Sequence, residues 1–288
     1  MKTSMKSIPR TPIPIAALFA ITLAGPVAAD QADRSGGAPT GNSVRVAGIV
    51  LRWIPGDRAA NYKRAERLIR EAAGNGAKIV STAESFLDGY AVRDSNLGED
   101  QFRSLAEPIP NGSYFGRLRN LADELDVYLI AAISELAGEK VYNSAALIGP
   151  NGKLIGTYRK KYLWSVEEEM YTAGTVIPTF DTPYGKVGIM ICADRQQPAA
   201  IKELVANGAE LVFVPAGGGY GAESDEVMRQ RSREGNVPIV FVHPIEFLVT
   251  AADGSILTSE LDGSSLDDYF GMDDGVVRYY DLPLDPRP

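Results

Sequence analysis

Residues 185–208, GKVGIMICADRQQPAAIKELVANG, constrain the fold more than any other stretch. Val187, Ile189, Met190 and Ile191 form a short apolar run, which predicts a buried strand. Pro198 then opens an apolar-periodic segment that ends at Gly208, the asymmetry of a helix with proline in its first turn and glycine just past its last. A buried strand feeding a helix through a few residues is the repeat unit of α/β folds. Cys192, the only cysteine in the chain, lies on that turn. A nucleophile placed there projects into a cleft, where backbone N–H groups can face a developing oxyanion.

The same alternation runs along the chain. Residues 44–51 read as a first strand, and Asp57 as the cap of a helix over 58–73 that buries Tyr62, Ala65, Ile69 and Ala72. Residues 77–84 read as a second strand, 88–111 as a polar, irregular linker and 112–126 as a helix. Strands follow at 127–134, 141–149 and 153–160, the last two joined at Pro150-Asn151-Gly152. Beyond Cys192, strands are expected at 208–216 and 237–244, a helix at 223–235, a hairpin over 247–260 turned at Asp253-Gly254, and a last strand at 275–283. Helices alternating with strands, with hairpins between, imply α/β layers around a mixed sheet or two sheets.

The amino terminus reads as a secretory signal peptide over residues 1–29. Lys2, Lys6 and Arg10 precede a short apolar core, and Val27-Ala28-Ala29 supplies the small residues of a cleavage site after Ala29. Residues 30–43 are a small, polar lead-in, and 44–288 form one domain. An exported protein, periplasmic or secreted, is therefore expected. Losing three basic residues takes the net charge from −8 to −11, which leaves no electrostatic footprint for nucleic acid or an anionic membrane. No later segment is long and apolar enough to span a bilayer. A lone cysteine in an exported chain is paired between chains, buried and inert, or a reactive thiol.

Three strand ends carry chemically capable residues. Glu84 ends the second strand in AESFLDGY, Lys160 ends the third hairpin strand in YRKKYLW, and Cys192 ends the strand in GIMICADRQQPAA. Each alone has an ordinary reading: the first exposed acid of a loop, a solvated lysine edge, an inert thiol. An α/β fold nevertheless collects its site at strand-to-loop junctions.

These three segments, in this order and spacing, resemble those of the carbon–nitrogen hydrolases of the nitrilase superfamily, over roughly residues 44–283. The resemblance implies a four-layer αββα sandwich: two mixed β-sheets face to face, with helices on the outer faces. It also implies a Glu84–Lys160–Cys192 triad and a homodimer or higher homo-oligomer. A second glutamate follows the lysine in the family. Among Glu167, Glu168 and Glu169, spacing favours Glu168, as a residue that holds Lys160 or orients substrate. Ala193, Tyr90, Tyr162 and Arg195 are the expected substrate-binding or oxyanion residues. Departures from the family pattern occur at Ala83, Tyr162, Gln196 and Ala199, and they bear on substrate class.

The implied reaction is hydrolysis of a small-molecule amide or N-carbamoyl group through a thioester, releasing ammonia or an amine. A nitrilase acting on a nitrile is the alternative. No metal or cofactor is implied, since one histidine and one cysteine make no zinc-type cluster. His243, the sole histidine, admits a Cys192–His243 hydrolase, which would leave the Glu84 and Lys160 segments unexplained. A catalytically silent exported binding protein is the non-enzymatic reading. Gly217, Gly219 and Ala222 match a dinucleotide-binding pattern only loosely, and the cluster reads as a pocket wall.

Overall fold

The computed structural model describes residues 43–262 and 269–284; the expected signal peptide and nearly all of the lead-in lie outside them. Ser43, assigned above to the lead-in, already opens the first strand. In chain order the elements are β1 (Ser43–Val50), α1 (Arg58–Gly74), β2 (Ile79–Thr82), α2 (Glu99–Leu105), β3 (Glu107–Pro108), α3 (Ser113–Leu125), β4 (Tyr128–Ala137), β5 (Lys140–Ile148) and β6 (Leu154–Arg159). Then come β7 (Thr179–Thr182), β8 (Gly185–Ile189), α4 (Pro198–Ala206), β9 (Leu211–Pro215), α5 (Ala222–Gly235), β10 (Ile239–His243), β11 (Glu246–Thr250), β12 (Ile256–Leu261) and β13 (Val276–Pro283).

They form two mixed sheets. The first runs β13-β1-β2-β4-β5-β6, with β3 beside β4, and the second β12-β11-β10-β9-β8-β7. In the first, β1, β2 and β4 are parallel, and antiparallel strands extend both sides. In the second, β8, β9 and β10 are parallel and likewise flanked. The strands face one another, β1 against β10 and β2 against β9.

Alternation along each strand explains the layers. In β1, Val44, Val46 and Val50 point into the core between the sheets. Ala47 and Ile49 point outward, where α1 and α3 cover them with Tyr62, Leu68, Phe115 and Leu118. Gly48 falls on the inward face, and Phe247 of the opposite sheet occupies the space a side chain would need. On the far side α4 and α5 bury Ile201, Leu204 and Met228 against a sheet whose central strands are apolar on both faces. This is the αββα sandwich.

Local signals set most boundaries. The Asp57 carboxylate caps α1 by accepting from the Ala60 N–H at 2.9 Å. Pro198 stands in the first turn of α4 and Gly208, at φ +87°, follows its end. Three elements depart from the sequence reading. The expected linker 88–111 contains α2, anchored by Phe102 edge-on to Tyr171 at 5.1 Å between centroids, and β3, which pairs with β4, and β7 pairs with β8 where no strand was predicted. Among the described residues no helix is long and apolar enough to cross a membrane.

Candidate active site

The parallel strands of both sheets end at one edge of the sandwich, and the chain leaving them builds the site. Glu84 follows β2, Lys160 follows β6, Cys192 follows β8, and Gly217–Gly219 follow β9. The Lys160 N–H continues the ladder to the Asn143 carbonyl at 2.8 Å, so β5 sets the height at which the lysine leaves the sheet.

Glu84 and Lys160 are fully buried. Lys160 Nζ donates to Glu84 Oε1 at 2.8 Å, and it lies 2.8 and 2.7 Å from the two oxygens of Glu167. The glutamate against Lys160 is Glu167, not Glu168, which spacing favoured among the three candidates. A single 3₁₀ turn over Ser165–Glu167 points Glu167 inward, where it also accepts from the Trp164 N–H at 2.7 Å. Glu168, one residue on, faces solvent. Glu167 further accepts from Tyr90 Oη at 3.0 Å. Asn143 Nδ2 bridges the two carboxylates, at 2.8 Å to Glu84 and 2.9 Å to Glu167.

One oxygen of Glu84 is left over. Oε2 is buried and makes no hydrogen bond among the described residues. A β-carbon at Gly217 would stand 2.8 Å from it and would collide with the Trp53 ring. Glycine at 217 is thus what lets the loop after β9 close over the free carboxylate oxygen. A buried acceptor left without a partner costs about 1–3 kcal/mol.

Cys192 begins a 3₁₀ turn and holds φ at +42°, a left-handed conformation unfavourable for a side chain with a β-carbon. Ser85 and Tyr90, which flank the Glu84 turn, are left-handed too, at +44° and +53°. The remaining left-handed non-glycine residues, Asp126 and Asn236, merely cap helices. Among the described non-glycine residues, left-handed backbone outside α-helix ends is therefore confined to the two segments carrying Glu84 and Cys192. The thiol is 6 % exposed and lines a pocket of about 370 Å³ with Tyr90, Ala193, Arg195 and Tyr269 among its walls.

Asp194 ties these segments together. Its carboxylate accepts from the Ile191 N–H at 2.8 Å, Tyr158 Oη at 2.6 Å and the Tyr162 N–H at 2.9 Å. The cysteine turn and the lysine segment are thus held to one another. Tyr162 contributes its backbone to this staple and is not a pocket wall, which corrects its expected role in binding substrate. Arg195 does reach the centre. Its Nη1 lies 3.4 Å from Cys192 Sγ, and its Nη2 donates to the Gly218 and Gly219 carbonyls.

The charges are coupled. Burial works against the Lys160 ammonium, yet Glu84, the Cys192 sulfur and Glu167 outweigh it and hold the group above the ordinary lysine value. Burial raises Glu84, with Lys160 opposing and Glu167 adding to the rise. Burial and the Glu84 charge raise the Cys192 thiol, while Lys160 and Arg195 pull it down. Burial thus works against the charged form of both the Cys192 thiol and the Glu84 carboxyl.

His243 is buried, stacked on Phe241 and Tyr220, and its Nδ1 accepts from the Ile245 N–H at 3.4 Å. Burial holds it well below the ordinary histidine value. The Cys192 sulfur has Arg195 and Gly218 as its hydrogen-bond partners, not His243. Sequence reasoning passed over Asn143 and Asp194, and named Glu167 only as one of three candidates. Asn143 had a signal: it shares the inward face of β5 with Ala145 and Leu147, a polar residue in an apolar alternation.

Residues 45–266 match the family model described as carbon-nitrogen hydrolase. A nitrilase of Pyrococcus abyssi (strain GE5 / Orsay) is 37% identical over 157 residues, covering 54% of this chain and 58% of that protein. The omega-amidase NIT2 of Homo sapiens is 36% identical over 183 residues, covering 60% of this chain and 63% of that one. The chain spans about three fifths of the length of these curated relatives. Among solved structures, Saccharomyces cerevisiae Nit3, a member of branch 10 of the nitrilase superfamily, matches with a TM-score of 0.70 at 25% identity, over 84% of this chain and 90% of that one.

Proposed function

The chain belongs to the carbon-nitrogen hydrolase family, and from that premise we propose that it hydrolyses the C–N bond of a small amide or N-carbamoyl compound with Cys192 as nucleophile. The observation that carries the reading is the free Oε2 of Glu84, a buried acceptor without a partner among the described residues on a carboxylate whose other oxygen is held by Lys160 and Asn143.

In this reading Glu84 takes the Cys192 proton as the sulfur attacks the carbonyl carbon. Lys160 and the backbone N–H of Ala193 stabilise the oxyanion. Glu84 passes its proton to the leaving nitrogen, the C–N bond breaks, and ammonia or an amine departs. Water, giving a proton to Glu84, then attacks the thioester; the acid leaves and the sulfur regains its proton. Glu167 and Asn143 position Lys160 and Glu84. The upward push that burial and Glu84 give the Cys192 thiol fits this scheme, in which proton transfer accompanies attack and no thiolate need be stored beside two carboxylates.

The experiment is ammonia release by the purified protein across amides, ureido compounds and nitriles, repeated with Cys192→Ala. Turnover of amides or ureido compounds that disappears in the variant supports the reading. Nitrile turnover alone favours a nitrilase, the activity named for the Pyrococcus abyssi relative. No Cys192-dependent release from any class overturns it. Export with cleavage after Ala29, and assembly as a homodimer, belong to the same proposal; N-terminal sequencing of the secreted chain and sedimentation test them.

A further inference from the structure

Asp88 is a fully buried acid that the reaction scheme leaves without a role. It lies in the turn that follows Glu84, between Ser85 and Tyr90, the two left-handed residues of that segment. Its Oδ1 accepts from the Tyr90 N–H at 3.0 Å, and its Oδ2 accepts from Ser134 Oγ on β4. Its carbonyl accepts from the Gly56 N–H at 2.8 Å. No lysine, arginine or histidine pairs with it among the described residues. The charged or titratable groups around it are Glu84, Tyr171 and, by way of the Tyr90 hydroxyl, Glu167. Burial pushes Asp88 up to about 7, against the Ser134 hydroxyl and the Tyr90 N–H, and the Glu84 charge adds to the rise.

The hydroxyls beyond it form a chain with one direction. A carboxylate only accepts, so Ser134 directs its proton to Asp88. Ser134 then accepts from Tyr171 Oη at 2.7 Å, which leaves the Tyr171 oxygen to accept from Ser85 Oγ at 3.4 Å. All three hydroxyl-bearing residues are buried. The Ser85 carbonyl closes the turn by accepting from the Gly89 N–H at 3.0 Å and the Tyr90 N–H at 3.1 Å. Ser85 adjoins Glu84, and Tyr90 Oη donates to Glu167 at 3.0 Å, so the turn bears on both carboxylates that hold Lys160. An asparagine at 88 would occupy the same space without burying a charge, but it has one acceptor oxygen where two donors need a partner. Protonation of Asp88 has the same effect: the acid becomes a donor, and the hydroxyl chain must reverse.

We propose that Asp88 is a positioning residue for the hydrolysis: as a carboxylate, through Ser134, Tyr171 and Ser85 on one side and the Tyr90 N–H on the other, it holds the left-handed turn that presents Glu84 to Cys192. The inference rests on the hydrolase reading above. The turn is set for reaction only while Asp88 is ionised. Activity is therefore full above the Asp88 titration and falls as pH drops through it.

The test is the pH profile of kcat and kcat/KM for Cys192-dependent ammonia release from one substrate that wild type turns over, measured on wild type, Asp88→Asn and Ser134→Ala. Wild type is expected to lose activity as pH falls below about 7. Asp88→Asn should lower kcat about tenfold or more above that pH, with KM within about twofold, and its profile should lack that acid limb. Ser134→Ala removes a hydrogen bond to the ionised acid, so its limb should move up by about one pH unit, a shift that mere loss of packing does not produce. If Asp88→Asn fails to fold, Ser134→Ala decides alone. A wild type without the limb, a limb that survives Asp88→Asn, or one that stays in place in Ser134→Ala overturns the inference and leaves the hydrolase reading standing. No Cys192-dependent release by wild type from any substrate sinks the hydrolase reading, and this inference with it.

Discussion

Replacing Glu167 with glutamine separates the structural account from the sequence expectation most sharply. The carboxylate lies against Lys160 Nζ and accepts from Tyr90, Asn143 and the Trp164 N–H, all inside the protein. Glutamine keeps the size and one acceptor oxygen, but it removes one of the two charges that hold the buried ammonium. Breaking a buried ion pair costs about 3–5 kcal/mol. Glu84 still neutralises Lys160, so the lower figure, about 3 kcal/mol, applies. For a chain of this size that is a melting-point loss of roughly 6–12 °C. A similar loss in the transition state lowers kcat about a hundredfold. Glu168→Gln, at an exposed position, should change stability by less than about 0.5 kcal/mol. Urea unfolding and ammonia release measured on both variants decide the matter. A Glu167→Gln protein as stable and active as wild type, or equal damage from Glu168→Gln, refutes the reasoning.

Further outcomes follow from the same geometry. Gly217→Ala should cut turnover at least tenfold with the fold retained by circular dichroism, because the new β-carbon meets Glu84 Oε2 and the Trp53 ring. Arg195→Gln should slow alkylation of Cys192 by iodoacetamide at fixed pH by roughly three- to tenfold, since the guanidinium pulls the thiol pKa down; the alkylation profile should move to higher pH. His243→Gln should leave that profile in place. Glu246 is fully buried, with Oε2 accepting from the Gly221 N–H, and burial first and Asp225 beside it push it up to about 8. The folded state keeps a proton that the unfolded chain releases near the ordinary glutamate value. Stability from this group is therefore full below about pH 4.5 and is lost as pH rises towards 8; Glu246→Gln should flatten that part of the curve in pH-dependent unfolding.

The α/β layering was legible in the order of strands and helices, while the four-layer sandwich was implied only by the family resemblance; alternation shows in β1 of the first sheet, whereas β9 and β10 of the second are apolar on both faces. Val44, Val46 and Val50 against Ala47 and Ile49 fix which side of β1 meets the second sheet, and proline and glycine bound α4. What stayed hidden has few apolar residues to report it. In α2 only Phe102 is buried, and in β7 only Phe180. The site was legible as three strand ends, not as a network. A run of three acids carries no periodicity, so spacing alone pointed to Glu168, while the turn after Trp164 turns Glu167 inward. Tyr162 lies next to the lysine segment and was grouped with the pocket, but Asp194 uses its N–H instead. The contact between Arg195 and the sulfur depends on a left-handed cysteine, which no local pattern announces.

In the proposed reaction the sulfur of Cys192, served by Glu84 and Lys160, carries the acyl group between two half-reactions. Intact-protein and peptide mass spectrometry after acid quench during turnover of an amide tests it directly. The expected result is a mass gain equal to the acyl group on the peptide containing Cys192, lost in Cys192→Ala together with turnover and strongly diminished in Glu84→Gln. Continued turnover by Cys192→Ala, or an acyl group found on another residue, contradicts it.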